Sequence, residues 1–121
     1  MEVLLDSSFI VSCIKHNIDF IAELEGMGFK VLLPKEVFEE IKDLRLNSDR
    51  NTKVACEVAL EMLKKRKVRE ISLGKKPVDL GLIEMGKRGA YIATLDTVIK
   101  RQIPNKVVIA EHSNNLLVER S

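Results

Sequence analysis

The chain has no apolar run near the ~20 residues that a membrane-spanning helix needs, so a membrane-embedded protein is not expected. Cysteine is scarce. Cys13 and Cys56 are the only two, far apart and in no CxxC pair. A disulfide scaffold or a zinc ribbon does not fit that spacing, and a reducing, cytoplasmic compartment is expected. Glu2 stands where a signal peptide would carry a basic stretch ahead of an apolar run, so no cleaved leader is expected. There is no GxSxG nucleophile elbow. Gly26, Gly28, Gly86 and Gly89 are not spaced as a phosphate-cradling loop and read as helix ends and turns. His16 and His112 each lack a second histidine or cysteine at ligand spacing, which removes a zinc site. Repeats, low-complexity segments and linkers are absent too.

What is present suits one domain over residues 1–121. Hydrophobic residues make up 45% of the chain, enough for a core, and charged residues 31%, above the ~25% average. Twenty Lys plus Arg against eighteen Asp plus Glu give +2, no nucleic-acid signature by itself. The basic clusters at 64–67, 75–76, 87–88 and 100–101 read first as solvated helix faces or helix C-terminal turns, which favour cations. Cys13 and Cys56 read as core fillers. Tyr91 reads as core or as a base-stacking ring.

Elements alternate along the chain. Val3, Leu4 and Leu5 form a short apolar strand ending at Asp6, and Ser7 and Ser8 suit the cap of a helix beginning near Phe9. A helix is expected over 18–25, capped by Asn17 or Asp19, then a strand over 31–33. Pro34 stops that strand and suits the first turn of a helix over 35–46, whose Val37, Ile41 and Leu44 share a face. Another helix starts at Thr52, with Val54, Ala55, Val58, Ala59, Met62 and Leu63 as its apolar stripe. Residues 68–73 form an edge strand, 78–87 a helix ended by Gly89, and 90–95 a strand leading to Asp96. A short helix over 97–102, a strand over 107–109 and a last apolar triplet over 116–118 follow. The alternation predicts an α/β chain: a three-layer α/β/α sandwich around a mainly parallel sheet of four to five strands.

In such sheets ligands bind beyond the carboxyl ends of the strands. Asp6 and Asp96 end two strands there. Asp79 opens a helix beside Pro77, and Glu40 borders the buried stripe of the helix that leaves the second strand. Four carboxylates from four segments can therefore converge. Such a cluster is self-repelling and calls for a cation. Oxygen ligands suit Mg2+ or Mn2+ rather than zinc, and the chemistry that fits is metal-assisted attack of water on a phosphodiester. Taken singly, Asp6, Asp79 and Asp96 also read as helix caps and Glu40 as a surface residue. The conjunction favours the site. Lys15, Arg45, Lys53, Lys87 and Arg88 are candidates for steering a phosphate backbone.

Four segments, in order, resemble the motifs of PIN-domain ribonucleases: Val3-Leu4-Leu5-Asp6-Ser7-Ser8-Phe9-Ile10, Leu33-Pro34-Lys35-Glu36-Val37-Phe38-Glu39-Glu40-Ile41, Val78-Asp79-Leu80-Gly81-Leu82-Ile83 and Ala93-Thr94-Leu95-Asp96. The resemblance runs over essentially the whole chain. It implies a PIN-like fold and an Mg2+- or Mn2+-dependent endoribonuclease, with Asp6, Glu40, Asp79 and Asp96 as both the metal-holding and the catalytic centre. Ser7 and Thr94 would be supporting hydroxyls near the metal or the scissile phosphate. Ser7 replaces the usual threonine and keeps the hydroxyl; Ser8 replaces the usual asparagine, which puts that amide's contact in doubt. The segment 18–46 is similar to the archaeal, Fcf1-like branch that acts in ribosomal RNA processing. The other branch weighed is the toxin ribonucleases of toxin–antitoxin pairs. The partners implied are RNA, precursor ribosomal RNA among them, with a second copy of the chain, an antitoxin or a ribosome-assembly protein, and no membrane. The rival readings are a non-catalytic RNA-binding or assembly module, motivated by Ser8, and a partner-binding scaffold whose acids are only caps.

Overall fold

Apolar residues alternate between two faces along each of the three inner strands at the centre of the sheet. In a computed structural model that describes residues 1–110 and 112–120, Val3 and Leu5 of strand β1 (Glu2–Leu5) enter one apolar cluster and Leu4 enters a second. Strand β2 (Lys30–Pro34) divides in the same way, with Val31 and Leu33 against Leu32. So does β4 (Tyr91–Ala93), with Tyr91 and Ala93 against Ile92. Successive side chains of a strand point to opposite faces, so a continuous apolar run demands cover on both.

That cover is unequal. Helices α1 (Ser7–Lys15), α2 (Phe20–Gly26), α3 (Lys35–Leu46) and α4 (Arg50–Lys65) supply the larger cluster through Phe9, Phe20, Ile41 and Leu60 among others. Helices α5 (Val78–Lys87) and α6 (Thr97–Lys100) cover the opposite face through Leu82, Ile83 and Ile99. The result is the expected α/β/α sandwich.

The sheet order is β3-β2-β1-β4-β5-β6, with β3 (Arg69–Ile71) at one edge and β5 (Lys106–Ala110) and β6 (Asn115–Glu119) at the other. Strands β1 to β5 run parallel, and β6 returns antiparallel on β5, pairing Lys106 with Glu119 and Val108 with Leu117. The sheet therefore has six strands rather than four or five. The extra one is the final apolar triplet, where Leu116 is buried and Leu117 exposed as a half-covered edge strand requires.

Local differences follow from capping and helix phase. Asp6, not Ser7 or Ser8, is the N-cap of α1, and the helix begins at Ser7. Asp19 caps α2 through Ala22 N, and Asp49 caps α4 through Thr52 N, so α4 starts two residues before Thr52. The buried face of α4 is Ala55, Cys56, Ala59, Leu60 and Leu63, one step round from the predicted stripe. Val54 and Val58 are left 53% and 46% exposed.

Candidate active site

The strand order reverses between β1 and β4. From their carboxyl ends the chain leaves in opposite directions, α1 to one face and α6 to the other, the kind of switch point at which such sheets bind ligands. Asp6 sits at that point, tied to the neighbouring strand by its amide, which donates to the Ala93 carbonyl at 2.9 Å. Asp6 and Thr94 are the two buried polar residues among those described, and they bond each other: Thr94 Oγ1 donates to Asp6 Oδ2 at 2.6 Å. A carboxylate buried in a core of aliphatic side chains costs free energy unless its lone pairs are met. Here Ser8 Oγ also donates to Oδ2 at 3.2 Å, and Ser7 N to Oδ1 at 2.9 Å.

The two hydroxyls do a second job. Thr94 Oγ1 accepts from Asp96 N at 3.1 Å, and Ser8 Oγ accepts from Leu95 N at 3.2 Å. Each hydroxyl thus donates to Asp6 and accepts from the loop that carries Asp96, pinning that loop to Asp6 at two successive amides. Asp96 does not end its strand directly, because β4 stops at Ala93. It is instead the N-cap of α6, accepting from Val98 N at 2.8 Å and Ile99 N at 3.3 Å. Glu40, in the middle of α3, is held by Ser7 Oγ, which donates to its Oε1 at 3.1 Å. Asp79 lies in the first turn of α5 behind Pro77 and accepts from Leu80 N at 2.9 Å.

Electrostatics join these four acids. Burial pushes the Asp6 carboxyl above the usual aspartate range and the charge of Asp96 adds to that, while the bonds from Thr94, Ser7 and Ser8 pull it back. Partial burial likewise raises Glu40, opposed by Ser7 and reinforced by the charges of Asp6, Asp79 and Asp43. Each carboxylate is thus within electrostatic reach of another of the set. Among the described residues, no three Asp, Glu, His or Cys side chains stand in a metal-ligating arrangement. The donors are carboxylate and hydroxyl oxygens alone, which suit a hard cation that keeps most of its water and takes one or two carboxylates directly.

Sequence reasoning missed two residues. The sequence marks Ser8 only as a departure from the usual asparagine, yet its hydroxyl bridges Asp6 and the Asp96 loop. Asp43 stands three residues beyond Glu40 on α3, a spacing that places both on one helix face. Of the basic candidates, Lys15 donates to Thr52 Oγ1 at 2.8 Å, and Lys15 and Arg45 both act on the Cys56 thiol. Lys53 is exposed in the first turn of α4. Lys87 and Arg88 are not brought to the acids. They lie at the far end of α5 from Asp79, about 12 Å along its axis, and Arg88 is paired with Glu84. A concavity of about 760 Å³ lies elsewhere, between α4 and the α1–α2 turn, and is lined by Val54, Val58 and Met62 among others.

A family model described as a PIN-like domain matches residues 3–111. The chain belongs to this family. The PIN-like match runs from β1 through β5 and includes all four acids. Comparison with curated protein sequences finds no match. Among solved structures, this PIN-like chain is similar to one described as the PIN domain endonuclease Utp24. The TM-score is 0.77 at 20% identity, over 99% of this chain and 92% of that one. At that identity the likeness speaks for the fold.

Proposed function

We propose that this PIN-like chain is a metal-dependent endoribonuclease whose centre is Asp6, Glu40, Asp79 and Asp96. The observation that carries the reading is the buried Asp6 at the sheet's switch point, with the charge of Asp96 bearing on it and those of Asp6 and Asp79 bearing on Glu40. A set of like charges gathered where the fold binds ligands is stable when a cation offsets the repulsion. Family membership supports a nuclease, and the structural relative described as an endonuclease belongs to the same reaction class. Precursor ribosomal RNA is the substrate we carry forward from the resemblance of residues 18–46.

Asp6, Asp79 and Asp96 would hold Mg2+ or Mn2+, with Glu40 completing the set. Bound there, such an ion supplies charge neutralisation at a phosphoryl oxygen and a more acidic water. The chain's own groups do the rest. Thr94 and Ser8 fix the Asp6 carboxylate and the Asp96 loop as one unit. Ser7 orients Glu40, whose raised pKa suits it to accept a proton from water at its free oxygen, Oε2. The Ser8 hydroxyl keeps the acid in place without the family's asparagine, which favours a working centre over a non-catalytic module.

The test is incubation of a mixed-sequence, structured RNA with the chain in Mn2+, Mg2+ or chelator. Internal cleavage in either ion and none in chelator is the expected result. Intact RNA in both ions, with the chain folded and Mn2+ bound, would contradict the reading.

A further inference from the structure

The two edges of the sheet differ in how they are guarded. A sheet edge presents unpaired backbone N–H and C=O groups, and proteins that keep such an edge free shorten the strand or load it with charge. Strand β3 has both protections: it is three residues long, and its Arg69 and Glu70 are exposed. Strand β6 has neither. It runs five residues, Asn115-Leu116-Leu117-Val118-Glu119, with no lysine and no proline. Arg120, which follows it, turns inward. Its guanidinium lies over the Tyr91 ring and its Nε donates to the Tyr91 hydroxyl, so that cation is drawn across the sheet and off the edge. Leu116 and Val118 face the larger apolar cluster. Asn115, Leu117 and Glu119 share the other face, where Leu117 is 47% exposed and Glu119 stands opposite Lys106 of β5.

We infer that the β6 edge pairs with the same edge of a second copy of the chain, antiparallel and centred on Leu117. The residue order of the strand carries the choice of partner. A two-fold axis normal to the sheet at Leu117 sets Leu117 against Leu117, Leu116 against Val118 and Asn115 against Glu119. Apolar side chains then meet on both faces. The Asn115 side-chain amide meets a carboxylate that can accept from it, and no two like charges fall opposite each other. The backbone groups on the open side of β6 gain partners, and the contact closes at two copies because it uses one patch twice. The pairing reverses strand direction, so the Asp6 ends of the two sheets point opposite ways, and the inference stands apart from the nuclease reading. The joined strip is about 17 Å long and about 10 Å deep. That is well short of the ~800 Å² per partner of a standard interface, so a weak dimer is expected, with Kd on the order of 10–100 µM.

Sedimentation velocity of the whole chain over a concentration series tests this. The wild type is expected to pass from monomer to dimer and to nothing larger. Leu117→Lys sets two ammonium groups against each other at the axis and should raise Kd at least about tenfold. Because Leu117 is half exposed, the change leaves the core intact. Cysteines read the register. Directly opposed residues have Cα atoms about 4.5–5.5 Å apart, within disulfide reach, whereas residue 115 and its own copy would stand roughly 14 Å apart. Under mild oxidant Leu117→Cys should therefore cross-link to itself. Asn115→Cys and Glu119→Cys should each stay uncoupled alone and cross-link when mixed. The wild type, whose Cys13 and Cys56 are buried, and Val58→Cys, exposed on α4, should not cross-link. A wild type that stays monomeric throughout the series, a Leu117→Lys dimer as tight as that of the wild type, or Val58→Cys cross-linking as fast as Leu117→Cys would overturn the inference. So would Asn115→Cys cross-linking on its own, because it would place the contact elsewhere or in another register.

Discussion

Asp6 shows how a few hydroxyls make a buried charge tolerable and useful. Its partners Thr94 and Ser8 each serve two masters, the carboxylate and the Asp96 loop. Ser8→Ala removes one of the two pins, so kcat should fall about tenfold while stability falls by only about 1 kcal/mol, the net value of one hydrogen bond. Ser8→Thr keeps the hydroxyl and should keep the rate. Steady-state kinetics with urea denaturation alongside checks both, and an unaltered kcat in Ser8→Ala would show that the second pin suffices. Glu40 gives a pH prediction. Its pKa is raised in the folded chain, so the folded state holds that proton to a higher pH than the unfolded state does. The associated stability is complete below the unfolded value and is lost as pH rises through the raised folded value. In chelator, Glu40→Gln should therefore gain on the wild type as pH rises from about 4, and solvent access to the side chain keeps that gain small. Parallel stability curves would contradict it. The placing of Asp6 directly after β1 and of Asp79 in the first turn of α5 was legible in the sequence. The role of Ser8 was not, because a hydroxyl's two partners depend on which loop folds over it.

At the scale of elements, capping and strand patterning were readable and helix phase was less so. Pro34 and Pro77 mark the starts of α3 and α5, and Gly89, at φ 109°, closes α5 in a conformation that suits glycine. The stripe of α4 was misplaced by one step because alanine, cysteine and valine are all compatible with either side of a helix; only packing on α1 and α3 decides. The sixth strand was missed because a lone apolar triplet has no period of its own and gains its identity from pairing with β5. Gly86 reports on how closely α5 lies against its neighbours. A Cβ there would stand 2.5 Å from Ile103 Cγ2 and 3.2 Å from Ile92 Cγ1. Both residues are buried and β-branched, so neither yields readily. Gly86→Ala should destabilise the chain by about 1–2 kcal/mol in spite of alanine's better helix propensity. A denaturation midpoint unchanged or raised would mean that the α5 contact relaxes freely.

At the scale of the whole molecule, the order β3-β2-β1-β4-β5-β6 puts Asp6 at the switch point, beside the loop that carries Asp96. Residues 6, 40, 79 and 96 are far apart in sequence. Asp6 and Asp96 are near because β1 and β4 are neighbours, and Glu40 and Asp79 are carried by helices that begin at the same sheet edge. The alternating pattern of strands and helices made that edge predictable. It did not give the distances, nor show that Lys87 and Arg88 are carried away from it. No helix among the described residues is long and apolar enough to cross a membrane. If the four carboxylates act as one metal-dependent centre, their removal is non-additive, as it is for groups that act as a unit. The measurement is the single-turnover rate of RNA cleavage in Mn2+ for Asp6→Asn, Glu40→Gln, Asp79→Asn, Asp96→Asn and the double variant Asp6→Asn/Asp96→Asn. Each single change should cost at least about a hundredfold, and the double variant should be no slower than the slower of its two parents. Cleavage that survives Asp6→Asn, or losses that multiply in the double variant, would rule out a single four-carboxylate centre.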